Sequence, residues 1–146
     1  MKKELDEYLC KTYPKMMVNR NAPMTETCMC WGFECGDGWF PILDQLMRNI
    51  QSHIDWQNRT EEVVPQVTLD QVKEKFGTLR FYYTGGDDYI RGLVSMAESM
   101  SSITCEECGK PGTSTRGGWI KTACPEHGGQ DYNESEEDYL KQGYEE

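Results

Sequence analysis

Apolar residues recur every three to four positions in the first part of the chain, between residues 39 and 56. The apolar positions are Ile42, Leu43, Leu46, Met47, Ile50 and Ile54. This period is typical of an amphipathic helix packed on a core. Pro41 suits the first helical turn, where no backbone N–H is needed. We therefore predict a helix over residues 41–57.

The pattern changes to alternation between residues 63 and 84, which predicts a β-hairpin. Val67 and Leu69 alternate with polar neighbours in a first strand over residues 63–72, and residues 78–84 are rich in aromatic and β-branched side chains. Both patterns are typical of strands. The charged residues 73–77, which end in a glycine, are predicted to form the turn.

A second amphipathic helix is predicted from Asp87 or Asp88 to about residue 102, because either aspartate can cap its first turn. Its apolar face consists of Ile90, Leu93, Val94, Ala97 and Met100. A weaker apolar face over residues 2–11 predicts a short first helix. Residues 1–103 are therefore expected to form an α+β body with two core helices and a β-hairpin.

Four candidate metal ligands follow the second helix. Cys105 and Cys108 form one pair, and Cys124 and His127 form another, each pair with two residues between its members. This spacing lets two tight turns aim their side chains at one tetrahedral ion. A set of three thiolates and one imidazole favours zinc over iron.

The predicted zinc ion is structural, because four protein ligands leave no position for a reacting water. The ligands define a zinc-knuckle or ribbon-like module over residues 104–128, expected to pack on the body. In this interpretation Trp119 and Ile120 cover the ion.

Charge limits the partners of the protein. The 146 residues carry a net charge of −10, and residues 131–146 contribute seven acidic residues against one lysine. Such a balance repels phosphate backbones, so duplex nucleic acid is not expected as a partner. Residues 129–146 are interpreted as a mobile, solubilising acidic tail.

Cysteine usage and hydropathy indicate a cytoplasmic protein. There are seven cysteines, and the charged first residues have no apolar segment behind them that would predict a secretory signal. The cysteines are therefore expected to be reduced thiols or metal ligands. No apolar run is long enough to cross a membrane.

The segment 28–39 combines glycines with large aromatic and acidic residues. Trp31, Glu34, Asp37 and Trp39 are candidates for contact with a ligand or partner. In the alternative interpretation Trp39 and Phe33 pack on the following helix and Asp37 caps its first turn. The same segment holds Cys28, Cys30 and Cys35, which would need a fourth ligand to bind a second metal ion and otherwise serve as small apolar residues.

A second candidate surface contains cations. Lys73, Lys75 and Arg80 belong to the predicted hairpin, and Arg116 lies between the two ligand pairs. If the hairpin packs beside the metal module, these cations form a basic patch on which a base can stack against Tyr82, Tyr83 or Trp119. The alternative is a solvated hairpin face with charges flanking its turn.

Three sequence blocks together resemble a family of small proteins of tailed bacteriophages and prophages. The blocks are WGFECGDGW at residues 31–39, QVKEKFGTLRFY at 71–82 and RGGW at 116–119. The resemblance spans roughly residues 29–127, and the family has no settled biochemical activity. It implies a phage accessory protein in the bacterial cytoplasm that acts by binding and, by analogy, counters a host defence system.

These observations predict a binding protein whose partner is a host protein or a small anionic ligand such as a nucleotide. One alternative is a nucleic-acid-associated zinc protein that uses Lys73, Lys75, Arg80 and Arg116. A second is a small hydrolase that uses Glu34 and Asp37. Catalysis is the less favoured class, because only His53 remains for nucleophilic chemistry and it falls within a predicted helix.

Overall fold

The computed structural model describes residues 1–115 and 118–129 and has the predicted α+β fold. The helices of this part of the chain span Lys3–Thr12 (α1), Phe40–Gln57 (α2) and Asp88–Ser101 (α3). The strands span Phe33–Glu34 (β1), Thr68–Lys75 (β2), Thr78–Thr84 (β3), Thr113–Ser114 (β4) and Thr122–Ala123 (β5). The predicted acidic tail lies outside the described residues from residue 130 onward.

The helix α2 lies within one residue of its predicted bounds and runs through the core. Its buried side chains are Leu43, Leu46, Met47, Ile50 and Ile54. Ile42, predicted as one of the apolar positions of this helix, is only partly buried and packs against the core. Pro41 occupies the first turn, as predicted.

The predicted hairpin is present, but its turn is shorter than expected. Lys73, Glu74 and Lys75 belong to β2, and Phe76 and Gly77 alone connect the strands. Both turn residues have positive φ, 52° at Phe76 and 81° at Gly77. A two-residue turn of this kind matches the right-handed twist of the strands, so the charged residues remain in the ladder.

The first strand also begins later than predicted, at Thr68 and not at residue 63. The side-chain oxygen of Asn58 accepts hydrogen bonds from the backbone N–H groups of Val63 (2.9 Å) and Val64 (2.8 Å). Pro65 follows and has no N–H to donate to a ladder. These two features hold the segment as a loop that closes the end of α2.

Asp87 caps the helix α3, as predicted. Its side chain accepts a hydrogen bond from the N–H of Ile90 at 3.0 Å, and its second oxygen lies 2.8 Å from Nε2 of His53 in α2. The buried residues of α3 include Ile90, Val94 and Ala97. Met100, predicted on the same face, is exposed.

The sheet has the order β1-β2-β3, with β1 parallel to β2 and β2 antiparallel to β3. Val72, Leu79 and Phe81 are buried on its inner face. Side chains of α3 satisfy backbone donors of β3: the N–H of Leu79 donates to Ser101 Oγ at 2.9 Å and that of Phe81 to Glu98 Oε1 at 3.1 Å. The outer face of the sheet carries the polar positions.

Along the described residues, no helix combines the length and the apolar character needed to cross a membrane.

Candidate metal centre and adjoining sheet face

The four predicted ligands form one cluster. The sulfurs of Cys108 and Cys124 lie 3.6 Å apart, and Nδ1 of His127 lies 3.1 Å from Cys124 Sγ and 3.6 Å from Cys105 Sγ. All four donor atoms lie within 4.8 Å of one another. This arrangement could hold a metal ion.

Two glycine-ended turns aim the ligands at a common point. In the first turn, the N–H of Gly109 donates to the carbonyl of Cys105 at 2.9 Å, and Gly109 has a φ of 78°, which favours glycine. In the second, a short 3-10 helix over Pro125–His127 brings the imidazole back to the sulfur of Cys124. The two-residue spacing seen in the sequence thus produces convergent side chains.

The distance between two of the sulfurs matches that in a tetrahedral zinc site. With metal–sulfur bonds of about 2.3 Å, two sulfurs of a tetrahedral zinc site lie about 3.8 Å apart, close to the 3.6 Å between Cys108 and Cys124. Burial opposes ionisation of the Cys105 thiol, but backbone N–H groups, those of Cys124 and Cys108 foremost, outweigh it and lower its pKa to about 6. The thiolate is the form that binds metal.

A carboxylate orients the histidine ligand. Nε2 of His127 lies 3.4 Å from Oε2 of Glu107, so Nδ1 is the nitrogen that faces the sulfurs. A contact of this kind fixes the orientation of a metal-binding imidazole and raises its basicity. Glu107 belongs to the two-residue spacer of the first ligand pair, and its role was not predicted.

The glycine-rich loop before α2 packs against the first metal-binding turn. The N–H of Gly38 donates to the carbonyl of Glu106 at 2.7 Å, and the indole N–H of Trp39 donates to the carbonyl of Thr104 at 2.9 Å. A Cβ on Gly36 would overlap the carbonyl oxygen of Glu106, and one on Gly38 would overlap that of Cys105. The glycines are therefore needed for close approach of two backbones.

The packing of this loop agrees in part with the structural interpretation. Trp39 and Phe33 are buried, as the structural alternative expected, and no part of the Trp39 side chain reaches the surface. The expected capping role of Asp37 is wrong: its carboxylate instead accepts the backbone N–H of Lys2 at 2.7 Å and lies 3.6 Å from the Lys2 ammonium. Glu34 does not share this contact with Lys2; it pairs with Lys73 of β2 in the sheet. Trp31 is exposed.

The hairpin turn contacts the metal module from the other side. The hydroxyl of Thr122, a buried residue of β5, donates to the carbonyl of Gly77 at 2.6 Å. A Cβ on Gly77 would lie 3.2 Å from the carbonyl carbon of Lys121. The metal module therefore packs between the glycine-rich loop and the hairpin turn.

The outer face of the sheet collects most of the remaining candidate residues. Lys73 pairs with Arg80 across the hairpin, and Glu34 of β1 pairs with Lys73. Since side chains alternate between the faces of a strand, Lys75 and Tyr82 share the face of these three residues. The five side chains, scattered in the sequence, lie on one surface.

A groove of about 490 Å³ borders this face where the hairpin meets the metal module. Its lining residues are Glu34, Lys73, Glu74, Lys75, Phe76, Gly118, Trp119 and Ile120. The expectation that Trp119 and Ile120 cover the ion is wrong, because Trp119 is 81% exposed and both residues line the groove. The role of Arg116 remains a prediction, since residues 116 and 117 lie outside the described part of the chain.

Phe76 is the groove residue that sequence reasoning missed. It was read as part of a charged turn, yet its side chain is 66% exposed and lies in the groove. One sequence signal could have identified it: the two-residue hairpin turn holds Phe-Gly, where Asn-Gly is usual.

The cysteines of residues 28–35 do not join the metal cluster. Cys28 is exposed, the thiol of Cys30 lies 3.3 Å from the carbonyl of Thr27, and Cys35 is buried. Burial raises the pKa of the Cys35 thiol to about 12. Among the described residues, the four ligands above form the only group suited to a metal ion.

Comparison of the chain with models of known protein families, with curated proteins and with solved structures gave no match.

Proposed function

We propose that this chain is a binding protein in which a structural zinc ion fixes an anion-binding surface and no reaction takes place at the metal. One observation carries the proposal: Lys73, Lys75 and Arg80 lie on one face of the sheet, beside a groove whose far wall belongs to the metal module. Removing the ion would therefore remove one side of the binding surface.

Zinc is the metal that this donor set suits best. Three thiolates and an imidazole in a tetrahedral arrangement are typical of structural zinc sites. Protein side chains fill all four positions, so no exchangeable water is left for catalysis. Two hydrogen bonds between the module and the body also support a structural role for the ion. They are the bond from the Trp39 indole to the carbonyl of Thr104 and the bond from the Thr122 hydroxyl to the carbonyl of Gly77, and both depend on the fold of the module.

The cations of the sheet face are available to a ligand. Within the described residues, Lys73, Lys75 and Arg80 form no ion pair. In addition, Nε of Arg80 is buried with no hydrogen-bond partner there, an arrangement that costs free energy unless a ligand supplies an acceptor. An anionic group provides such an acceptor for the guanidinium.

The biological setting comes from the sequence resemblance. We infer a phage accessory protein that acts in the bacterial cytoplasm, where it binds a host factor or a small anionic ligand and counters a host defence. The net charge of −10 favours a small anionic ligand over a long polyanion such as a nucleic-acid strand, because an acidic protein repels a chain of phosphates.

The test is purification of the tagged protein from a bacterial host, with elemental analysis and mass spectrometry of bound proteins and small molecules. We expect one zinc per chain and a bound species that the double substitution Lys73→Glu, Arg80→Glu loses. The control is Lys11→Glu, which changes an exposed lysine on α1. Equal capture by all three proteins would contradict the assignment of the surface, and a zinc content near zero would contradict the metal.

A further inference from the structure

We propose that the groove between the hairpin turn and the metal module binds a free mononucleotide, with its base against Phe76 and Trp119 and its phosphate beside Lys73 and Lys75. The inference rests on the proposed function and names the ligand class of the same surface. Three observations support it: the positive φ of Phe76, the exposed rings of Phe76 and Trp119, and the charged side chains around these rings.

The hairpin turn requires positive φ at position 76, but nothing in the turn requires that residue to be Phe76. It is the only described residue other than glycine with positive φ. A bulky side chain is costly there, and the first position of such a turn normally holds Asn, Asp or Gly. The ring is not buried in compensation, since it is 66% exposed. Strain of this kind that is retained at an exposed site points to function.

Trp119 supplies a second exposed ring in the same groove. It is the most exposed large apolar side chain in the described part of the protein, at 81%, and Ile120 beside it is also exposed. Exposed rings that converge on one concave surface suit a planar aromatic ligand, because every base has a π face that stacks on aromatic side chains. Folding alone gives no reason to gather these side chains here.

Charged groups of both signs lie next to the rings. The ammonium of Lys75 is 5.6 Å from the centre of the Phe76 ring, and Lys73 also lines the groove. A phosphate attached to a stacked nucleoside is therefore within reach of cations. Glu34 offers a carboxylate to the hydroxyl or amino donors of the nucleoside, whereas Glu74 already accepts the N–H of Gly77 at 2.8 Å.

Size and charge favour a single nucleotide over a strand. The groove of about 490 Å³ falls within the range of small-molecule sites. Glu34 and Glu74 on its walls, and the net charge of −10, repel a chain of phosphates more strongly than one phosphate group. A nucleic-acid strand is therefore the competing outcome of the test.

The first experiment compares ligands by titration calorimetry with the zinc-loaded protein. The probes are the four nucleoside 5′-monophosphates, adenosine, ribose 5-phosphate and a ten-residue oligoadenylate. We expect at least one monophosphate to bind at least tenfold more tightly than ribose 5-phosphate and adenosine. Equal affinity for ribose 5-phosphate would overturn the role of the rings. Tighter, steeply salt-dependent binding of the oligoadenylate would assign the surface to a strand.

The second experiment separates function from folding with Phe76→Asn. Asparagine tolerates positive φ, so the melting temperature is expected to stay the same or rise while nucleotide affinity falls at least tenfold. Trp119→Ala should cause a similar loss. The control is Trp56→Ala, which removes an exposed ring that stacks on Arg59 in another part of the protein.

The outcomes also separate this inference from the proposed function. If Phe76→Asn binds the monophosphate as tightly as the original protein, the inference is wrong. If no monophosphate binds, while the Lys73 and Arg80 double substitution still abolishes capture of another species, the nucleotide is wrong and the binding surface stands. If no monophosphate binds, and the purified protein carries no species that the Lys73 and Arg80 double substitution loses, the proposed function fails as well.

Discussion

Two segments of this protein have similar residues and opposite burial. The loop at residues 32–39, which we term the inner loop, and the groove edge formed by residues 76–77 and 118–119, which we term the outer edge, both combine glycine with large aromatic rings. Trp39 of the inner loop is fully buried, whereas Trp119 of the outer edge is 81% exposed. The inner loop and residues 76–77 contact the metal module, and residues 118–119 belong to it.

The difference shows that glycine and aromatic residues have separate uses in each segment. Gly38 is needed because another backbone lies against it, and Gly77 because the turn requires positive φ. The buried ring of Trp39 donates a hydrogen bond to the module, whereas the rings of Phe76 and Trp119 at the outer edge are 66% and 81% exposed. We interpret the inner loop as support for the metal centre and the outer edge as the binding surface.

The largest effect should follow removal of the metal with a strong chelator. The free energy of metal binding is folding free energy in small zinc modules, where it reaches about 10 kcal/mol or more. The turn that accepts hydrogen bonds from Gly38 and Trp39 should then be lost. We expect exchange of the Trp39 indole proton, followed by NMR, to accelerate by several orders of magnitude.

A tryptophan outside both segments, Trp56, should respond differently to removal of the metal. Trp56 in α2 lies far from the ligands in sequence and is exposed, so its indole signal should change little on chelation. Restoring zinc should restore slow exchange at Trp39. Unchanged exchange at Trp39 in metal-free protein would show that the inner loop does not depend on the module.

Gly38→Ala should be the next most damaging change. The added methyl would overlap the carbonyl oxygen of Cys105, and both partners are backbone that cannot rotate away. We expect a loss of about 3 kcal/mol in the free energy of unfolding, measured by denaturant titration. The matched control is Gly92→Ala in α3, where no atom lies within 4 Å of the new methyl.

The control should move stability in the opposite direction. An exposed glycine within a helix lowers stability relative to alanine by about 0.5–1 kcal/mol, so Gly92→Ala is expected to stabilise the protein. If Gly38→Ala were also neutral or stabilising, the close approach of the inner loop to the metal-binding turn would not exist in solution.

Sequence patterns predicted the elements whose cause is local. The apolar period of α2, the aspartate cap of α3 and each of the two ligand pairs depend on residues a few positions apart, and all of them are present. The hairpin turn and the start of β2 were placed wrongly because Phe76 is unusual at positive φ and because Asn58 binds a segment five residues away.

The site could be predicted only in part, since its assembly depends on contacts between distant segments. Lys73, Lys75, Arg80 and Tyr82 were identified from their chemistry, but their common face follows from the pairing register. Trp39 and Trp119 have the same side chain in glycine-rich surroundings, and only the packing of the metal module tells the buried one from the exposed one.

A smaller effect is expected for Thr122→Val, which tests how the outer edge is attached. The substitution keeps the shape of the side chain but removes the buried hydrogen bond to the carbonyl of Gly77. An unsatisfied buried acceptor should cost about 1–2 kcal/mol of unfolding free energy. Thr78→Val, which removes an exposed hydrogen bond to Lys75, is the control and should be nearly neutral. Equal effects would mean that the hairpin turn is held by other contacts.

The smallest effect concerns the thiol of Cys35 in the inner loop. Burial raises its pKa from the usual 9.0 to about 12, so the folded state retains the proton after the unfolded chain has lost it. Its contribution to stability is therefore complete below pH 9 and is lost as the pH rises toward 12. We expect Cys35 to resist alkylation by iodoacetamide at pH 8 while the exposed thiol of Cys28 reacts. Peptide mapping by mass spectrometry measures both, and equal labelling in folded protein would show that the inner loop is open to solvent like the outer edge.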